Sequence, residues 1–432
     1  MVIFATVLAV LLLIWTSLIY LRLHVPGLGI FVLLYKSFAA AFSLLLGAIG
    51  LVGAVLGALG GSVLVAVAYV LLAVAAGIPA LRVMTAPEAI SWAFGSPWPA
   101  ERREGERFAV RRRGGIRLGG TPEPRWHRDI PFWTPLEPTR PLLCDIWQPA
   151  AEVTPSGLAF IYFHGSGWTI LDKDCYTRTL FRHLTAQGHV VMDVAYRLFP
   201  ESDIEGMVGD VRRSVAWLRS HAAEYRINPD RIVIGGASAG GHIAMLASYT
   251  EGMAELTPPE LRGVDTSVRG VVAWYGPVDL AACFRHYEVD KLIEKMPAQP
   301  DWNAPMPPMM RRMMGKDAER FGMHKASGTG RLDWMLGGTP GQVPERYALL
   351  SPITHVHAGC PPTLLMQGED DLIVPAGSTR QMYQKLCAAG VKAACLVLPH
   401  TDHAFDLFGT NWSPAARQAL WHTERFLAHM AE

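Results

Sequence analysis

Hydrophobic and polar positions divide this chain into two unlike parts. Residues 1–20 are uncharged and mostly apolar, and residues 37–81 form a second apolar stretch without a charge. As a helix the first matches a bilayer core of about 30 Å. The second would run to about 67 Å, roughly twice that thickness, so it reads as two spans folded at Gly60-Gly61-Ser62. Nothing in it offers the polar face that a soluble helical hairpin needs. Gly53-x-x-x-Gly57-x-x-x-Gly61 has the spacing that lets two membrane helices approach closely. The pattern predicts spans over residues 2–21, 38–59 and 62–81; 27–35 is apolar but too short to cross.

Beyond residue 120 short apolar runs alternate with helical spacing. Strands are expected at 158–163, 190–194, 231–235, 271–274, 362–366 and 395–398. Helices are expected at 175–186, at 207–225 (Val211, Val215, Trp217 and Leu218 on its apolar side) and from Gly240. This order predicts an α/β fold with a doubly wound, mostly parallel sheet and its chemistry at the carboxyl ends of the strands. Three regions follow: membrane helices over 1–82, a charged linker over 83–125, and a globular domain over 126–432.

Charge sharpens the division. Of 432 residues 50% are hydrophobic and only 18% charged. The first acidic residue is Glu88, and before it the only full charges are Arg22, Lys36 and Arg82. Residues 1–20 lack the basic start and small-x-small cleavage site of a signal peptide, which predicts a retained span. Arg22, His24 and Lys36 are assigned to the first loop, and Arg82 with the run Arg102–Arg113 follows the third span. The positive-inside rule then places the globular domain in the cytoplasm. The basic run reads either as a solvated segment or as one that hugs anionic headgroups. A net charge of +1 argues against nucleic acid as a partner. The six cysteines lack CxxC or CxxH spacing, so no metal or other cofactor is expected.

Gly236-Ala-Ser238-Ala-Gly240 stands between an expected strand and an expected helix, the context a nucleophile elbow requires. The small residues permit the sharp turn that exposes the Ser238 hydroxyl. His164-Gly165-Ser166-Gly167-Trp168 follows the first strand of the run. It reads either as a plain Gly-rich turn or as a loop whose Gly165, Ser166 and Gly167 N–H groups join that of Ala239 in an oxyanion hole.

With Tyr196-Arg-Leu-Phe-Pro-Glu201 and Gly-Ala-Ser-Ala-Gly-Gly-His242, these motifs resemble the α/β-hydrolase fold. Within it they are similar to the hormone-sensitive-lipase-like and feruloyl-esterase-like carboxylesterases, which include kynurenine formamidase and isoprenylcysteine methylesterase relatives. The likeness covers about residues 130–430. Ser166 departs from the family's His-Gly-Gly-Gly, and its side chain is expected to narrow or polarise the hole. The resemblance implies Asp371 as the acid, from Gly368-x-x-Asp371-x-x-Val374-Pro375 (Glu369 and Asp370 are its neighbours), and His403 as the base, from His403-Ala-Phe405. His400 is expected to be a loop residue, and His164 to brace the oxyanion loop. The resemblance implies a serine hydrolase of carboxylic esters acting through an acyl-enzyme, with an ester substrate and membrane lipid as partners. A formamidase or amidase, or a silent membrane-tethered binding module, are the alternatives. An insertion over 281–345 is the expected lid. It holds eight of the 17 methionines, which suits either an adaptable apolar lid or ordinary packing.

Overall fold

The computed structural model describes residues 2–20, 29–87, 89–95, 120–134, 140–286 and 332–432. Most of the expected lid (287–331), much of the expected linker (96–119), Arg22, His24 and the Arg102–Arg113 run lie outside the described residues.

The described apolar part forms four helices: α1 (Val2–Ser17, extended by a 3₁₀ turn Leu18–Tyr20), α2 (Gly29–Ala41), α3 (Ser43–Leu59) and α4 (Val63–Met84). Two helices, Val2–Tyr20 and Val63–Met84, are long and apolar enough to cross a membrane. A bent pair, Tyr35–Ala41 with Ser43–Leu59, turns through 64° and makes a third if it counts as one span. The expected second span is therefore bent near Phe42, and α2 begins well before it. Lys36, assigned to the first loop, sits fully buried on α2 instead. The close-packed α3–α4 seam also differs from the expected stripe. A Cβ at Gly50 would lie 2.5 Å from the Ala73 nitrogen, at Gly53 2.3 Å from the Tyr69 ring, and at Gly57 2.7 Å from the Ala66 nitrogen. Gly61 is no part of it, for at φ +70° it makes the turn between the helices and has nothing within 4 Å.

The globular part is one eight-stranded sheet: β1 (Arg125–Trp133), β2 (Leu142–Gln148), β3 (Ala159–Phe163), β4 (Val190–Val194), β5 (Ile232–Ala237), β6 (Gly270–Trp274), β7 (Thr363–Gly368) and β8 (Ala393–Leu398). Their order is β1-β2-β4-β3-β5-β6-β7-β8. From β4 to β8 neighbours run parallel, and β1 and β2 close the edge antiparallel. The parallel strands read as apolar runs because both faces are covered. In β3, Ala159, Ile161 and Phe163 face one core layer and Phe160 and Tyr162 the other. The edge strand β1 escapes that signature. Its first half, Arg125–Asp129, is mostly polar and exposed, and a bulge at Asp129 (φ 57°) interrupts the register between His127 and Ile130.

One layer holds α7 (Ile204–Ser220) and α8 (Ala239–Tyr249); the other holds α6 (Arg178–Ala186) and the C-terminal helix Pro414–Met430. That second layer also takes in Val83, Ala86, Ala89 and Ile90, on the end of α4 and on α5 (Ala89–Phe94). Phe94 packs edge-on against Phe426 at 5.8 Å and stacks on His429 at 5.2 Å. Val83, Ala86, Ala89 and Ile90, which fall in the expected linker, are thus part of the globular core.

Gly50→Leu should force α3 and α4 apart and lower the unfolding midpoint in detergent, since overpacking costs about 1–3 kcal/mol. Gly77→Ala, where nothing lies within 4 Å of the new methyl, should leave the midpoint unchanged or raise it. A wild-type midpoint for Gly50→Leu would contradict the close-packed seam.

Candidate active site

β5 ends at Ala237 and α8 begins at Ala239, leaving Ser238 alone on the turn with φ 51° and ψ −121°. The conformation is unusual for a residue with a Cβ. Its surroundings hold it there: the Ser238 N–H donates to the Trp274 carbonyl at 2.8 Å, and its carbonyl accepts from His242 N–H at 2.9 Å. The turn is so tight that a Cβ at Gly236 or Gly240 would lie 2.1 or 2.0 Å from the Phe163 oxygen. Ala239 opens α8, where the first N–H groups have no intrahelical acceptor.

His403 stands in the loop after β8, and Asp371 in the loop after β7. His403 Nε2 is 2.9 Å from Ser238 Oγ, and its Nδ1 is 2.8 Å from Asp371 Oδ2. The structure therefore brings together the three residues that the sequence marks out. Asp371 is held as a carboxylate acceptor: Oδ1 accepts from the N–H groups of Ile373 and Val374 at 2.8 Å, and Oδ2 from the Gln367 amide at 2.6 Å. Burial alone would push the His403 imidazole down. The Asp371 carboxylate in contact with it, then Asp402 and Asp406, outweigh that and hold it above its ordinary value.

The loop after β3 lies against the elbow; a Cβ at Gly165 would come within 3.3 Å of the Ala237 oxygen and 3.5 Å of Ser238 Cβ. Ser166 was expected to narrow or polarise the hole with its side chain. Its side chain is spent on the loop, with Oγ accepting the Trp168 N–H at 2.9 Å and lying 2.6 Å from the Tyr196 hydroxyl. Tyr196 in turn donates to the His164 carbonyl at 2.9 Å, so Ser166 is the donor to Tyr196. The His164 ring stacks on Tyr196 at 4.5 Å beneath the same loop. His242 ties this loop to the far side. Its Nδ1 accepts from the Trp168 indole at 3.2 Å, and its Nε2 donates to the Leu350 carbonyl at 2.8 Å. Burial pushes this imidazole down to about 4, which keeps it neutral and able to do both.

Three residues around His403 were not foreseen. Tyr275 packs edge-on against the His403 ring at 4.6 Å and donates to Asp406. Gln367 holds Asp371, and Asp402 accepts the His403 N–H at 2.7 Å. Tyr275 and Gln367 lie at the carboxyl ends of β6 and β7, a position that marks candidates without assigning them roles. His400 lies apart from Ser238, 3.0 Å from the Arg82 guanidinium. All six cysteines are unpaired, and the described residues contain no cluster of potential metal ligands.

Comparison with known proteins agrees with this architecture. A family model described as BD-FAE matches residues 144–306, and that of the prolyl oligopeptidase family matches 317–430. From Mycobacterium tuberculosis, the protein named "Probable carboxylic ester hydrolase LipM" is 29% identical over 66% of this chain and 58% of its own. Esterase LipQ of the same organism is 28% identical over 72% of this chain and 66% of its own. This chain thus spans less than two thirds of either relative. Among solved structures, native esterase 2 from Thermogutta terrifontis superposes with a TM-score of 0.51 at 22% identity, over 71% of this chain and 92% of that one. By its sheet order, its elbow and this likeness, the chain has the α/β-hydrolase fold, and in sequence it is similar to proteins named as carboxylic ester hydrolases and esterases.

Proposed function

We propose that this protein is a membrane-anchored serine hydrolase that cleaves carboxylic esters through an acyl-enzyme on Ser238. The observation that carries the reading is His403 bridging Ser238 Oγ and Asp371 Oδ2 at 2.9 and 2.8 Å. Ser238 Oγ attacks the acyl carbon and its proton passes to His403 Nε2. Asp371 fixes the opposite nitrogen and stabilises the imidazolium. The carbonyl oxygen, now an oxyanion, is received by the N–H of Ala239 and by those of the 165–167 loop. The acyl C–O bond to the alcohol breaks as His403 returns the proton to the leaving oxygen. Water then enters, gives a proton to His403, attacks the acyl carbon and releases the acid, restoring the Ser238 hydroxyl.

Contacts made by the N-terminal helices support the multi-pass reading. Tyr20 ends the first segment and meets the His400 ring edge-on at 5.2 Å. Lys36, near the start of the second, pairs with Asp402 at 3.1 Å, and Arg82, near the end of α4, lies 3.0 Å from His400. These three ends meet one loop of the globular domain, as three successive crossings require if the N-terminus lies on the opposite face. The positive-inside rule, with Lys36 no longer a free loop cation, then rests on Arg82 and the basic residues after it for a cytoplasmic domain.

A fluorophosphonate probe should label the wild-type chain, fail entirely on Ser238→Ala and react slower by orders of magnitude with His403→Ala; labelling retained in Ser238→Ala overturns the assignment. Comparing turnover of p-nitrophenyl butyrate with that of N-formylkynurenine separates ester from formamide preference.

The base must be neutral to accept the Ser238 proton. With its pKa raised, kcat/KM should rise with pH through an acid limb above the ordinary imidazole value of about 6.5. Asp371→Asn should move that limb down and cut kcat by about 10⁴-fold. A limb that stays in place in the variant would show that Asp371 does not govern His403.

Full-length protein in membranes should stay in the pellet through alkaline carbonate extraction. Its release into the supernatant would overturn the anchor.

A further inference from the structure

Lys36 is the only full charge between Gly29 and Leu81. It is fully buried on α2, with Nζ 3.1 Å from Asp402 Oδ2. Among the described residues neither atom has a hydrogen-bond partner, so this ion pair is what each has. An ammonium in such apolar surroundings persists only beside a counter-charge.

The other carboxylate oxygen faces the active site. Asp402 Oδ1 accepts the N–H of His403 at 2.7 Å and the N–H of Leu372 at 2.9 Å. Leu372 follows Asp371 directly, so one carboxylate fastens the loop of the base to the loop of the acid. Those loops meet at backbone distance: Asp370 N–H donates to the Thr401 carbonyl at 3.0 Å, and a Cβ at Gly368 would lie 2.5 Å from the same oxygen. The pair does not stand alone. Phe38, two residues beyond Lys36, meets Phe408 edge-on at 5.1 Å, and Phe42 packs on Trp412 at 5.3 Å.

We propose that Lys36 is a positioning residue of the hydrolase site: from the N-terminal helices it neutralises Asp402, which holds the His403 and Asp371 loops in register for proton transfer. The proposal rests on the ester-hydrolase reading and deepens it. The apolar helices then do more than tether the enzyme, because part of the support of the base comes from them. The charge balance follows from the surroundings. Burial holds the Asp402 carboxyl above its ordinary value, while the Lys36 ammonium opposes that rise. Losing the ammonium would leave a buried carboxylate that must either protonate or draw in water. Either change weakens an acceptor of two backbone N–H groups.

The test uses the full-length chain in detergent and compares wild type, Lys36→Met, Lys36→Gln, Asp402→Asn and the double variant Lys36→Met/Asp402→Asn. Turnover of p-nitrophenyl butyrate is expressed per active site titrated with a fluorophosphonate, so that misfolded protein does not count. Lys36→Met should lower kcat by about 10- to 100-fold, the scale expected of a displaced catalytic group. Its KM should stay within about twofold of wild type, as for an interaction that acts on the transition state rather than on binding. Lys36→Gln retains an amide that can donate to Asp402 and should show a smaller fall in kcat. The double variant carries no charge at either position and keeps an acceptor at position 402, so it should recover to within about fivefold of wild type, a coupling that independent sites lack. If Lys36→Met does not accumulate, Lys36→Gln and the double variant carry the same comparison. Wild-type kcat per titrated site in Lys36→Met or Lys36→Gln overturns the proposal. So does a double variant as impaired as the product of its two singles. Wild-type protein that takes no probe at all would instead defeat the hydrolase reading itself.

Discussion

The turn at Ser238 is the constraint around which the globular domain is arranged. A non-glycine residue at φ 51° and ψ −121° carries strain of about 1–3 kcal/mol, so the surrounding structure must over-determine it. It does so by crowding. β3 and β5 are neighbours in the sheet, and the end of β3 comes so near the elbow that neither Gly236 nor Gly240 has room for a methyl group against the Phe163 oxygen. The adjacency has a second consequence. The chain leaving β3 must pass beside Ser238, which is where the 164–168 loop presents its backbone. The candidate nucleophile and the candidate oxyanion loop are thus two results of one strand pairing.

Buried hydrogen bonds carry this arrangement outward. Ser166, Tyr196 and His164 form one chain of donors and acceptors under the loop, and Trp168, His242 and Leu350 form another behind it. Each polar group lies where water cannot replace a lost partner, so moving one disturbs the rest. The same holds for Asp371, whose oxygens accept from two backbone N–H groups and the Gln367 amide besides His403. The geometry of the candidate site is therefore set by the buried residues around it.

The N-terminal helices and the globular domain share one structure rather than being joined by a tether. Val83, Ala86, Ala89 and Ile90 enter the layer that packs on the sheet through Phe426 and Leu427. Aromatic side chains of α2 and the turn after it cover Phe408 and Trp412. Lys36 belongs to this interface, and its pairing with Asp402 places a charge from one region beside the candidate base of the other.

Local pattern was enough for the parallel strands, the elbow and the loop motifs. Those features are short-range: a run of apolar residues buried on both faces, and glycines that a tight turn demands within five positions. Ser238 was marked out for the same reason, in a compact motif at a strand end, whereas Asp371 and His403 were marked by resemblance to the family's loop motifs. The antiparallel edge was not, because β1 is polar over His127–Asp129 and bulged at Asp129, which breaks the alternation. Nor could spacing alone choose the seam of α3 and α4. Gly61 fits the stripe by number, yet the chain needs it for the turn. The role of Ser166 depended on Tyr196, thirty positions away, and that of Lys36 on Asp402, across nearly the whole chain. Sequence by itself determined which residues are chemically able to act and which segments must be buried. Only the tertiary structure decided which buried charge faces which, because desolvation and pairing are properties of neighbours in space, and the chain does not place those neighbours side by side.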